Sequence, residues 1–183
     1  GITAVEYGQT FTLGDARVSL HPAGHVLGSA QVRVEVGGRV WVVSGDYKRD
    51  PDPTCTPFEP VPCDTFITEA TFALPVYRWP DPADVVADVF HWWRRAADNG
   101  QPAVLFCYAL GKAQRVIKLL REAGYHDTLY IHGALEKLCQ LYEDHSVALG
   151  SLETATLDLL GQQHLRPIED LLNGVIDWVP MCA

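Results

Sequence analysis

Two histidines four residues apart, His21 and His25, stand in the stretch HPAGHVLGSAQ, whose other members are mostly small. Further along, Asp46 closes VWVVSGD, behind the small pair Ser44-Gly45. An imidazole and a carboxylate are zinc-compatible ligands, and a carboxylate can bridge two metals. The plainer alternative is a loop histidine and a turn aspartate, which spacing alone does not exclude. A third group lies in YALGKAQR, where Gly111 precedes a helix start and Lys112 and Arg115 add positive charge. Backbone N–H groups and the dipole at such a start suit a phosphodiester. It is not a Walker A loop, because Gly111-Lys112 is followed by Ala113 and Phe106 stands where the first Gly is needed.

The elements that must position these groups change character along the chain. TFTLGDARVSL reads as two short strands around a Gly-Asp turn, and QVRVEVGGRVWVV as a hairpin turned by Gly37-Gly38. That hairpin joins the His25 loop to Asp46, so both can meet at one sheet edge. DPDPTCTPFEPVPC carries five prolines and is predicted as a semi-rigid connection. From residue 64 strand and helix alternate. DTFITEA, AVLFCY and TLYIHG are predicted strands. The predicted helices are one opened by Asp81-Pro82 and ended by Asn99-Gly100, then KAQRVIKLLREAG and ALEKLCQLYEDH. Such repeats imply a parallel sheet with helices packed on it. LETATLDLLGQQ and PIEDLLNGVIDW read as two further short helices.

The totals set bounds. A chain of 183 residues is long enough for a real core. No apolar run reaches the length of a membrane span, no signal peptide is visible, and five cysteines without CxxC spacing fit reduced thiols, so a cytoplasmic location is expected. The chain opens with Gly1, as an excised or incomplete piece would. A net charge of −9 argues against nucleic-acid binding through bulk charge. Much of that excess lies in residues 136–183, where Lys137 and Arg166 face eight acidic residues, so a basic patch earlier in the chain remains open.

HPAGHVLGSAQVRVEVGGRVWVVSGDYK, then CDTFITEATFALPVYRWP, then FCYALGKAQR together resemble the β-CASP branch of the metallo-β-lactamase-fold nucleases. The nearest likeness is to the bacterial ligase-associated DNA exonucleases; Artemis-type DNA nucleases and the endonuclease that cuts pre-mRNA are more distant. The resemblance runs from about residue 5 to 149. It implies an α/β fold, with the C-terminal β-sheet portion of an αββα metallo-β-lactamase domain over residues 1–75. Part of a β-CASP parallel-sheet domain follows over 76–150, and then a tail over 151–183 that matches nothing in the family. It also implies that His25 is a zinc ligand, that Asp46 bridges two zinc ions and is catalytic, and that Glu69 orients a histidine of the catalytic site. His21 is common in near relatives without being a ligand and is expected to support the site from behind. Lys112, Arg115 and Lys48, with Arg49 and Arg78 after them, are the expected phosphate contacts. At the Glu69 motif the chain departs from the family, with Ala70 and Ala73 in place of the usual Ser or Thr and Gly.

The family's main metal motif, His-x-His-x-Asp-His, does not occur in this sequence, and neither do its late histidine motifs. His25 and Asp46 alone cannot make a two-metal hydrolytic centre. The chain is therefore expected to be a fragment of a zinc-dependent DNA exonuclease, inactive by itself. DNA, or alternatively RNA, is its implied substrate, and an ATP-dependent DNA ligase and a helicase are its implied partners. The competing expectation is a non-catalytic nucleic-acid-binding or assembly module. Either way, uncovered sheet edges are expected to promote self-association.

Overall fold

The computed structural model describes residues 1–155 except 72, 73 and 75. They form two units that divide after Tyr77. The first holds a five-stranded sheet in sequence order, β1 (Thr10–Leu13), β2 (Ala16–Pro22), β3 (Ala30–Val36), β4 (Arg39–Ser44) and β5 (Thr65–Thr68). Every neighbouring pair is antiparallel except β4 and β5. The hairpin between β3 and β4 is the one the sequence predicts: Val36 pairs with Arg39, and Gly37 and Gly38 take φ of 58° and 75°. Only residues tolerant of positive φ let so short a turn follow the twist of its strands.

Register sorts the side chains onto two faces, since cross-strand partners point the same way. Val18, Val34, Trp41 and Thr65 form one ladder, and Leu20, Val32, Val43 and Ile67 the next. This face is apolar, yet Trp41, Val43 and Ile67 are 39%, 41% and 48% exposed. The opposite face begins with Ser19, His21, Gln31 and Arg33 and continues to Val42 and Phe66. The proline-rich segment crosses from β4 to β5 without a helix. It is tied by a buried turn in which an Asp52 carboxylate oxygen accepts from Thr54 N–H and Thr54 O–H, at 2.9 and 2.6 Å.

The second unit holds α1 (Pro82–Asp98), α2 (Lys112–Glu122), β6 (Leu129–Ile131), α3 (Gly133–Asp144) and β7 (Leu152–Thr154). The Asp81 carboxylate accepts from Ala83 N–H and Pro82 opens α1, as the sequence predicts. Val86, Val89 and Leu120 are its buried centre, with Phe90, Trp93, Leu105 and Tyr125 packed around them, so Trp93 is core rather than an open stacking surface. Arg121 is the polar fastener. Its guanidinium donates to the carbonyls of Tyr125, Asp127, Leu149 and Ser151 at 2.6–3.0 Å. No helix among the described residues is long and apolar enough to cross a membrane.

Two predicted elements differ. AVLFCY forms no strand. Its burial alternates, with Val104, Phe106 and Tyr108 exposed while Ala103, Leu105 and Cys107 are partly covered. One face packs against the helices, and among the described residues no strand pairs with its backbone. LETATLDLLGQQ does not begin as a helix, because Leu152–Thr154 is β7, parallel to β6. Arg121 delivers that stretch to the sheet by gripping Leu149 and Ser151, and Leu129 N–H and Ala155 N–H close the ladder ends. The remainder of that predicted helix, and the one after it, lie outside the described residues. The molecule is thus an α/β protein with a mixed sheet and packed helices.

Candidate functional site

The loop between β2 and β3 carries His25 and is closed on itself. Ala23 N–H donates to Ser29 C=O, Ser29 N–H to Val26 C=O, and the Ser29 hydroxyl accepts from His25 N–H and Val26 N–H. Small residues are needed here. Gly24 has φ +71°, and a Cβ on it would meet the Lys48 carbonyl at 2.5 Å and the Phe58 nitrogen at 2.7 Å. Asp46 reaches the same place from the end of β4. One backbone bond, Lys48 N–H to Ala23 C=O at 3.0 Å, joins the two arms. As a result His25 Nε2 lies 3.6 Å from Asp46 Oδ2, with both side chains reachable by solvent.

Glu69 follows the end of β5. Its carboxylate accepts from Thr71 O–H and Thr71 N–H, and these bonds hold it below the usual carboxylate range, with smaller help from Ala70 N–H and the Asp46 side chain. The Glu69 hydrogen bonds described run to its own turn, through Thr71. Among the described residues no group of three or more His, Cys, Asp or Glu could hold a metal ion together. His25 and Asp46 would hold one edge of such an ion. They do not suffice for a hydrolytic centre, which takes more donors and an open position.

The remaining candidates fall as follows. His21 Nδ1 is 3.0 Å from Glu59 Oε1 and His21 Nε2 is 3.0 Å from Ser19 Oγ, so its ring is engaged beneath the His25 loop. The Lys48 ammonium donates to the carbonyls of Asp50 and Pro51 and lies 4.0 Å from the buried Asp52 carboxylate, fastening the proline-rich segment. Arg49 and Arg78 are exposed.

Lys112 and Arg115 stand together in the second unit, in the first turn of α2. Lys112 Nζ is 5.1 Å from the centre of the Tyr108 ring. Burial pushes the Cys107 thiol up, against a smaller opposite pull from Lys112 and Arg115. Three of the N–H groups at this helix start are already used. Gly111 donates to Gln114 Oε1, Lys112 to Leu110 C=O and Ala113 to Tyr108 C=O. Gln114 at the third helical position closes the turn through its side chain, so this start offers an anion charge more than bare backbone. His132 caps α3, its Nδ1 accepting from Ala134 N–H, as a strand–helix junction residue should.

Sequence reasoning missed Gln31, Glu59 and Ser44. The Gln31 amide, 1% exposed, donates to Pro22 C=O and Glu59 C=O at 2.9 and 2.7 Å. Ser44 Oγ, two residues before Asp46, is buried with no hydrogen-bond partner among the described residues.

No protein-family profile matches the chain. It is 37% identical over 149 residues, 78% of its length, to a probable DNA ligase of Opitutus terrae, of which it spans 14%. Endoribonuclease ysh1 of Emericella nidulans is 30% identical over 141 residues, which is 75% of the chain and 15% of that protein. Cleavage and polyadenylation specificity factor subunit 3 of Dictyostelium discoideum is 30% identical over 93% of the chain and 23% of its own length. With 30–37% identity to these relatives over 75–93% of its length, the chain belongs, as a partial-length match, to the β-CASP metallo-β-lactamase-fold nucleases.

Proposed function

We propose that the chain is part of a metal-dependent nuclease that hydrolyses phosphodiester bonds in DNA, and that it contributes one arm of the metal site without being active alone. The carrying observation is the approach of His25 Nε2 to Asp46 Oδ2 at 3.6 Å from two separate elements tied by a backbone bond. In this reading zinc is held partly by His25 and Asp46, and Glu69 orients a histidine of the catalytic site. Lys112 and Arg115 contact phosphate. Zinc ions, when bound by a full donor set, supply an activated water and neutralise charge on the phosphoryl group.

RNA is the second reading, supported by two relatives whose names place them in RNA cleavage or polyadenylation. The ligase relative supports DNA and an association with a DNA ligase.

The deciding experiment is zinc stoichiometry of the purified chain beside Asp46→Ala, followed by incubation with labelled single- and double-stranded DNA and RNA. Substoichiometric zinc and no cleavage are expected. Near-stoichiometric zinc that disappears in Asp46→Ala, together with cleavage, would overturn the incomplete-site reading, and the strand cleaved would choose between DNA and RNA. Binding of either polymer without cleavage, unaffected by Asp46→Ala, would favour a non-catalytic binding module.

A further inference from the structure

Between Pro57 and Pro60 the chain passes Phe58 and Glu59 across both arms of the His25–Asp46 pair. Phe58 lies on the Asp46 side, its ring 5.1 Å from that of Tyr47, the residue after Asp46. Glu59 lies on the His25 side. Its N–H donates to Pro22 C=O at 3.1 Å, and its carboxylate meets His21 Nδ1. Between the two, the Phe58 nitrogen presses against Gly24, where a Cβ would meet it at 2.7 Å. Gln31 then fastens the end of β2 to this step, donating at once to Pro22 C=O and Glu59 C=O. Prolines at both ends fix φ and restrict the residue before each, so this step starts with few conformations to lose.

We propose that the Phe58–Glu59 step, stapled by Gln31, is a positioning element that sets the distance between His25 and Asp46. Gln31 and Glu59 are its positioning residues. Their hydrogen bonds go to Pro22 and His21, and they act through these and the Lys48-to-Ala23 backbone bond. The proposal rests on the reading of His25 and Asp46 as the working pair.

Its test needs no bound metal, so its failure is separable from failure of that reading. Amide hydrogen exchange is measured on the full chain and on Gln31→Met, which keeps length and burial but removes the donor, and on Glu59→Ala. In Gln31→Met the Lys48 and Glu59 amides are expected to exchange about tenfold faster, while the amides of the β3–β4 hairpin keep wild-type protection. Glu59→Ala should act in the same direction and less, because only the His21 contact is lost. Should Gln31→Met fail to fold, Glu59→Ala decides by the same criterion, since the Glu59 side chain is half exposed and its removal opens no core. Unchanged protection at Lys48, or acceleration of the hairpin amides by the same factor, would overturn the proposal.

Discussion

Three residues around the site test the local physics. Gly24→Ala is expected to cost about 3 kcal/mol in denaturant unfolding, from positive φ plus a clash with backbone that has nowhere to go. Ser44→Ala should leave stability unchanged or raise it by about 1 kcal/mol, because a buried hydroxyl with no partner among the described residues is removed. Thr71→Val should move the Glu69 carboxyl up toward its ordinary range, read by NMR titration. Because the folded Glu69 is depressed, its contribution to stability is present above the unfolded carboxylate range and fades as pH falls through the folded value. The variant should therefore lose less on acidification. His25 and Asp46 were singled out by the family resemblance, because residue type and spacing alone left a loop histidine and a turn aspartate open; the structure brings their side chains within 3.6 Å. Gln31 and Glu59 were not legible in the sequence, since nothing local says that positions 28 residues apart will share a hydrogen bond.

The elements show where periodicity informs and where it misleads. Gly37-Gly38, Asp81-Pro82 and the apolar spacing of α1 are local signals, and the structure agrees with each. AVLFCY and the start of LETATLDLLGQQ depend on which strands are present to pair, and pairing is a property of the whole sheet. Arg121 makes the same point in energy. Replacing it with Met leaves four backbone carbonyls without their charged donor, so unfolding of the second unit should be about 3 kcal/mol easier or more, measured by chemical denaturation. The β1–β5 sheet should keep its amide protection in that variant.

At the scale of the molecule, the chain spans 14–23% of the three relatives described above, and among the described residues its first sheet carries an apolar face that is partly exposed. Exposed Trp41, Val43 and Ile67 on one side of that sheet are expected to drive concentration-dependent association, seen by sedimentation velocity. Val43→Lys should shift the population toward monomer while leaving the hairpin register intact.

The Arg121 fastener also carries a consequence for the order of events during synthesis. Its guanidinium takes carbonyls from residues on both sides of β6, the last of them Ser151, which immediately precedes β7. A nascent chain still holding Leu149–Ser151 inside the ribosome keeps two of the cation's four carbonyl acceptors out of reach. The first sheet, complete by Thr68, can form during translation, whereas the second unit must wait for Ser151 to emerge.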